Sequence, residues 1–248
     1  MRDPVFPLSK HQTFRFRCSP EVACFNACCR DLQQVLTPYD ILCLKQYTEM
    51  SSSEFLKRYT EASTGPGTGL PVVSLRFADA ADLACPFVSD AGCWVYPARP
   101  ASCRTYPLAR GVSYNRETGK RVEHWALIRE PHCRGFDSGP EQTIDRWVEG
   151  QQIAEHNRMN DRMLSLISDK NRFRPGPLKP SESQLVYTAL YDLDVFRETL
   201  FTTGKPVKNL GGIKNMDQAR SDDSALLTVA MAWVRENVFT LSQENDAR

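Results

Sequence analysis

The sequence predicts an α+β protein with a cysteine-rich, metal-stabilised front half of short helices and a small antiparallel sheet, followed by a helical back half. Three observations lead there. All nine cysteines precede residue 134, and eight of them precede residue 104. Strand alternation and a hairpin pattern are confined to the stretch between residues 70 and 127. After Pro140 the spacing turns helical. The chain has 248 residues, 41% hydrophobic and 25% charged, enough to bury a core without crosslinks and unlike a disordered composition.

The elements follow in chain order. The first cysteine run spans 14–30. Thr37 then offers an N-cap, Pro38 the first helical position and Asp40 an acidic third position, predicting a helix to about residue 48. Ser51 and Glu54 repeat that signal as a capping box and predict a second short helix over 55–60. Gly65, Gly67 and Gly69 mark a turn feeding a strand over 70–77, where Val73, Leu75 and Phe77 alternate with Val72, Ser74 and Arg76. The second cysteine run spans 85–103. Segments 111–114 and 120–127 flank a five-residue turn ending in Gly119, which reads as a hairpin.

Thr143 caps one long predicted helix over 143–168, weakened in its middle by Gly150. Its expected buried face is Ile144, Trp147, Val148, Met159, Met163, Leu166 and Ile167. A Pro- and Gly-rich breaker follows at 174–180, and Ser181 caps a helix over 182–201. Residues 205–216 read as loop, and Asp222 and Asp223 open a final helix to about residue 239. The expected organisation is therefore a cysteine-cluster metal-binding domain over 1–140 and a helical extension packed on it over 141–248.

Charge and end composition narrow the function classes. Thirty-one basic against thirty acidic residues leave a net charge of +1, so no global field selects nucleic acid or an anionic membrane. No window approaches the ~18 apolar residues of a membrane span. Residues 1–17 hold no signal-like apolar run, and the expectation is a cytoplasmic protein without membrane or nucleic-acid partners. Its partner is expected to be a protein or redox partner of unknown identity. In a reducing compartment, dense cysteines more often bind metal than form disulfides, and nine is an odd number.

The cysteines are spaced Cys18-x5-Cys24-x3-Cys28-Cys29, then Cys85, Cys93 and Cys103, then Cys133. Clustered thiolates suit zinc, copper(I) or iron–sulfur clusters, because soft sulfur donors favour them. A site of this kind usually takes four ligands, so these eight cysteines could furnish two four-thiolate sites. Adjacent Cys28 and Cys29 point in different directions, about 100° apart on a helix or to opposite faces of a strand. They are easier to place on two sites, or on different irons of one cluster, than on one ion. Arg99 and Arg104 flank Cys103 and are placed to lower a thiol pKa or donate to sulfur.

Other candidates read as structure. Tyr39, Cys43 and Tyr47 share one helix face, so Cys43 is a packed thiol. His132 adjoins Cys133 but reads as loop surface, and His124 as a cross-strand neighbour. The glycine-rich turn at 65–69 lacks the Lys-Ser/Thr of a P-loop and precedes a strand rather than a helix. No nucleophile elbow or paired-histidine motif occurs.

The combination Cys24-x3-Cys28-Cys29, Leu36-Thr37-x2-Asp40, Cys85-Pro86-Phe87 and Gly92-Cys93-x2-Tyr96-x2-Arg99-Pro100-x2-Cys103-Arg104-x-Tyr106-Pro107 resembles the YkgJ-type cysteine-cluster family, described as a zinc- or iron-chelating domain. Its cysteine region is similar to that of the flagellin lysine methylase. The resemblance implies metal ligation by Cys18, Cys24, Cys28, Cys29, Cys85, Cys93 and Cys103, with Cys133 matching a cysteine of longer members. The first gaps are wider here than the family's C-x2-C-x2-CC. The expected function is a metal-binding protein holding an iron–sulfur cluster, with 4Fe-4S as its four-thiolate form, in a redox or electron-transfer role. The alternatives are a zinc-stabilised interaction module and a protein-lysine methylase, for which no S-adenosylmethionine-binding motif is visible.

Overall fold

The structure is a computed structural model that describes residues 5–77, 83–114, 117–118, 120–202 and 215–240. It is mixed α+β, with helices and small antiparallel sheets. The chain forms two compact units, one from Met1–Leu32 with Phe77–Arg158, the other from Gln33–Arg76 with Met159–Arg248. The division expected at residue 140 is thus drawn elsewhere. Residues 33–76 go with the later helices, because Pro38–Tyr47 packs on Asp223–Val234 and strand Pro71–Leu75 on Pro180–Leu190. Residues 141–158 stay with the cysteines, because Glu141–Thr143 pairs antiparallel with Thr13–Arg15.

In the first unit the expected hairpin is Leu108–Tyr114 against Arg121–Ile128, and Val5–Leu8 pairs with the free side of the second strand. Turn residues 115, 116 and 119 lie outside the described residues. Phe14, Phe16, Leu108, Trp125, Leu127 and Ile144 form the core, with Tyr106, Phe136, Trp147 and Cys133 packed against it. Phe16 is its hub, meeting Tyr106, Phe136 and Trp147 edge-on at ring separations of 5.1–5.7 Å.

The long helix expected from residue 143 is two helices, Ile144–Gly150 and Ala154–Phe173. Thr143 caps the first as expected, its hydroxyl accepting from the Arg146 N–H at 3.3 Å. The break has a local cause. Gly150 ends the first helix, Gln152 takes a left-handed φ of 54°, and Ile153 turns inward to complete burial. Of the expected apolar face, Ile144, Met159 and Leu166 are buried, while Trp147, Val148, Met163 and Ile167 are half-buried.

In the second unit, Pro71–Leu75 is the central strand between Val35–Leu36 and Thr60–Thr64. The turn at 65–69 joins two strands, as its sequence implies. Helix Pro38–Tyr47 carries the expected capping box, with the Asp40 carboxylate accepting from the Thr37 N–H at 2.9 Å. Ser51 caps Ser52–Tyr59, its hydroxyl accepting from the Glu54 N–H.

The helix expected over 182–201 is also two, Pro180–Leu190 and Leu193–Phe201; the first starts at Lys179, whose N–H donates to the Glu182 carboxylate, rather than at Ser181. Asp192, in the break, accepts from the hydroxyls of Ser52 at 2.6 Å and Ser53 at 2.7 Å. Asp194 accepts from the Ser52 N–H at 2.7 Å. These bonds hold the break against the start of another helix. Most of the loop expected at 205–216 lies outside the described residues. The final helix, Asp223–Val234, is capped by Asp222 and runs on as π-helical turns over Arg235–Thr240. Leu226, Leu227, Val229, Ala230 and Val234 are all fully buried, so this helix is the centre of its unit. Beside its first turn Lys45, 6% exposed, donates to Asp194 at 2.9 Å and Asp223 at 3.0 Å, and Arg197 pairs with Asp223.

Candidate metal centre

All eight candidate ligands lie in the first unit, and Cys43 lies half-buried on a helix of the second. None of the nine cysteines is in a disulfide. Cys18 is placed by the aromatic core below it. The Arg17 N–H donates to the Gly135 carbonyl at 2.9 Å, which sets Cys18 beside the loop bearing Cys133. That approach needs glycine, since a Cβ at position 135 would meet the Phe16 ring at 2.5 Å and the Arg17 carbonyl oxygen at 2.7 Å. From Ser19 the chain advances through four-residue turns to the 3-10 turn Ala27–Cys29, entered through Asn26 at a left-handed φ of 66°. On the way the Arg134 N–H donates to the Cys24 sulfur at 3.1 Å.

The second run docks on the first through its backbone. The Cys85 N–H donates to the Cys29 carbonyl at 2.8 Å, next to a bridge between Arg30 and Ala84. Val88–Ser89 and Gly92–Cys93 form a short ribbon turned by Gly92 at φ 111°. Asn26 donates to the Ser89 carbonyl at 2.9 Å, so the ribbon is tied to the first run again. Phe87 and Val95 are buried, whereas Trp94 and Tyr96 are exposed. Cys103 is exposed on helix Ala101–Thr105.

The two arginines of this run have different jobs. Arg104 is buried and spends its guanidinium on carbonyls, those of Arg99 at 3.0 Å, Gln151 at 3.1 Å and Pro97. It staples the loop before Cys103 to the helix break at Gln151, where sequence reasoning expected it to serve the sulfurs. Arg99 donates to the Tyr96 carbonyl at 2.7 Å and to the Gln151 side chain, with its guanidinium 3.8 Å from the Tyr96 ring centre. It remains within electrostatic reach of Cys18, Cys93 and Cys103.

The sulfurs form one continuous neighbourhood. Cys18 feels Cys28, Cys24 and Cys133. Cys29 bonds with Cys28 and feels Cys85 and Cys103, and Cys85 in turn feels Cys93. Loss of solvent on the cluster side and then these neighbouring sulfurs push the Cys18 thiol up to about 11, although the residue is surface-exposed. Burial likewise pushes Cys85 up to about 11 and raises Cys93 and Cys133. In the adjacent pair, the hydrogen bond from Cys29 brings Cys28 down to about 7, while the same bond and burial raise Cys29. Crowded thiols of this kind cannot all ionise without a compensating cation.

The nearby backbone of Phe87 and Val88 favours the thiolate at Cys85, that of Val95 at Cys93 and that of Gly135 at Cys133, each against the larger effect of burial. The Tyr106 hydroxyl is buried against Cys133 and Glu130 without a hydrogen bond of ordinary geometry, and burial and then the sulfur keep it protonated. Sequence reasoning gave no role to Tyr106, Gly135 or Gln151. Tyr106 and Gly135 lie close to cysteines in sequence, whereas Gln151 lies well beyond the last of them and carried no cue.

Among the described residues no three His, Cys, Asp or Glu side chains stand together at metal-ligand spacing. The donor set nevertheless fits a thiophilic metal, being sulfur throughout, reduced, crowded and supplied with N–H donors. His132 is half-exposed and 3.6 Å from Glu130. His124 meets Ser113 across the hairpin at 2.8 Å. No helix among the described residues is long and apolar enough to cross a membrane.

Residues 17–134 match the family model CxxCxxCC, whose description reads "Putative zinc- or iron-chelating domain". That span contains all eight clustered cysteines. No curated protein and no solved structure matches the chain.

Proposed function

From the premise that residues 17–134 are a zinc- or iron-chelating cysteine-cluster domain, we propose that the first unit holds an iron–sulfur centre and passes electrons to and from a protein partner. The observation that carries this reading is the single run of neighbouring sulfurs from Cys18 to Cys93, formed by eight cysteines with no disulfide among them. When bound, such a centre supplies a one-electron couple whose potential depends on hydrogen bonds to sulfur and on solvent access.

This chain contributes both controls. The Arg134 N–H donates to the Cys24 sulfur, and the nearby backbone of Phe87, Val88, Val95 and Gly135 favours negative charge on Cys85, Cys93 and Cys133. Phe16, Tyr106, Phe136 and Trp147 pack a dry floor on the Cys133 side. Cys18 and Cys103 are exposed, as are Trp94 and Tyr96, so the cluster has sulfurs open to solvent for electron exchange with a partner. A reducing compartment such as the cytoplasm keeps the thiols available.

Protein purified without oxygen tests the reading. Iron with equal acid-labile sulfide, and a broad band near ~400 nm that bleaches reversibly with dithionite, are expected. Zinc without sulfide, in colourless protein that does not respond to reductant, would replace the redox role with a zinc-stabilised interaction module.

A further inference from the structure

We infer that the eight cysteines form two four-thiolate centres, Cys18, Cys24, Cys28 and Cys133 holding one and Cys29, Cys85, Cys93 and Cys103 the other, with the adjacent Cys28 and Cys29 as the seam between them. The inference rests on the metal-holding role proposed above and assigns the ligands within it.

Backbone pairing sorts the first quartet. The bond from Arg17 N–H to the Gly135 carbonyl at 2.9 Å brings Cys18 to the Cys133 loop. The bond from Arg134 N–H to the Cys24 sulfur at 3.1 Å brings Cys24 to the same loop. Cys24 and Cys133 are hydrogen-bond neighbours through their sulfurs, and the other sulfurs around Cys18 are Cys28, Cys24 and Cys133.

A different set of contacts gathers the second. The Cys85 N–H to Cys29 carbonyl bond at 2.8 Å joins these two residues, and the Val88 N–H to Cys85 carbonyl bond at 3.1 Å leads into the ribbon where Val88 faces Cys93. Apart from Cys28, the sulfurs around Cys29 are Cys85 and Cys103. Arg99 lies within reach of both Cys93 and Cys103.

The seam follows from local geometry. Cys28 and Cys29 lie in a 3-10 turn, which has three residues per turn, so adjacent side chains diverge by about 120°. One tetrahedral ion takes both only with difficulty, whereas two neighbouring centres take one each. The quartets touch at the Cys28–Cys29 bond and between Cys28 and Cys85, with Arg99 near Cys18 as well. A single four-ligand centre would leave four crowded thiols unneutralised. Closing the quartets requires movement chiefly of turns, since Cys18, Cys24, Cys85 and Cys133 all lie outside helices and strands.

Reduced, metal-free full-length protein titrated with Zn2+ alone tests this, because zinc needs no sulfide. Native mass spectrometry should show two zinc ions per chain at saturation. At one equivalent, iodoacetamide mapping of the wild type should find protection falling on Cys18, Cys24, Cys28 and Cys133 together, or on the other four together. The double variant Cys24→Ser/Cys133→Ser should keep one zinc, and Cys93→Ser/Cys103→Ser likewise. Saturation at one zinc, or protection of a mixed set, would overturn the two-centre assignment while leaving metal binding intact. No zinc bound to the wild type would overturn metal holding itself. Absence of iron and sulfide from purified protein bears only on the iron–sulfur reading. Should a double variant fail to fold, the wild-type count and footprint still decide.

Discussion

Phe16 and Gly135 approach so closely that their contact, rather than any cysteine, sets where the Cys133 loop ends. A methyl group at position 135 must displace either the Phe16 ring or the Arg17 carbonyl, disturbing the Arg17 N–H to Gly135 carbonyl bond that sets Cys18. Gly135→Ala should therefore cost about 1–3 kcal/mol, the usual range for overpacking, and weaken metal retention against a competing chelator. Gly111→Ala is the control, because a Cβ there meets nothing closer than 3.8 Å. Equal retention in both variants would show that the Phe16 contact does not govern the site. The cysteines themselves were legible as a set from their density and spacing. Their neighbours were not, since Arg17 with Gly135 and Cys29 with Cys85 meet across long stretches of chain. Arg104 was misjudged for a related reason. Its carbonyl partners include Gln151, at a helix break that periodicity does not reveal.

At the scale of elements, local signals were read well and remote ones were not. The Thr37–Asp40 capping box, the Asp222 cap and the 108–128 hairpin each depend on residues near one another in sequence. The two helix breaks do not. Asp192 is held by Ser52 and Ser53, and the break at Gln151 by Arg104, none of which a helical pattern contains. The ion network at the start of the final helix is likewise remote. Lys45→Met leaves Asp194 without its ammonium and Asp223 with Arg197 alone, and should cost about 1–3 kcal/mol at neutral pH, less than a fully buried pair because Asp194 is partly exposed.

The network also gives stability a pH dependence of definite sign. Burial alone would raise the Asp194 carboxyl, but the Lys45 ammonium and the Ser52 N–H outweigh it and hold the group below its ordinary value of 3.8. A depressed carboxyl contributes stability above its unfolded value and loses it as the pH falls through its folded value. Denaturant melts of wild type and Asp194→Asn should differ at pH 7 and converge below about pH 4. A constant gap across that range would remove Asp194 as the titrating group. Asp223, Arg197 and Lys45 are the charged groups of this network.

Across the whole molecule, the proposed metal centre couples to the fold of the first unit alone. The first has a small aromatic core and eight clustered thiols on turns and short elements, whereas the second is built on a central helix whose Leu226, Leu227, Val229, Ala230 and Val234 are fully buried. Thiolate metal sites contribute folding free energy on the order of 10 kcal/mol. Chelation under reducing conditions should therefore loosen the first unit and spare the second. Trp94, Trp125 and Trp147 belong to the first unit and Trp233 to the second, so fluorescence should change strongly while helical circular dichroism largely persists. Parallel loss of both signals would mean that the units do not melt separately. The split was hidden from sequence reading because residues 33–76, lying between two cysteine runs, belong to the helical unit.

The most direct test of the central claim, that thiolates of the first unit hold the metal, is X-ray absorption at the metal edge of protein purified without oxygen. The account predicts a first shell of about four sulfurs per metal at ~2.3 Å, with the metal content halved in Cys24→Ser/Cys133→Ser and both content and shell unchanged in Cys43→Ser. A shell of nitrogen or oxygen at about 2.0–2.1 Å, or loss of sulfur on replacing Cys43, would contradict it.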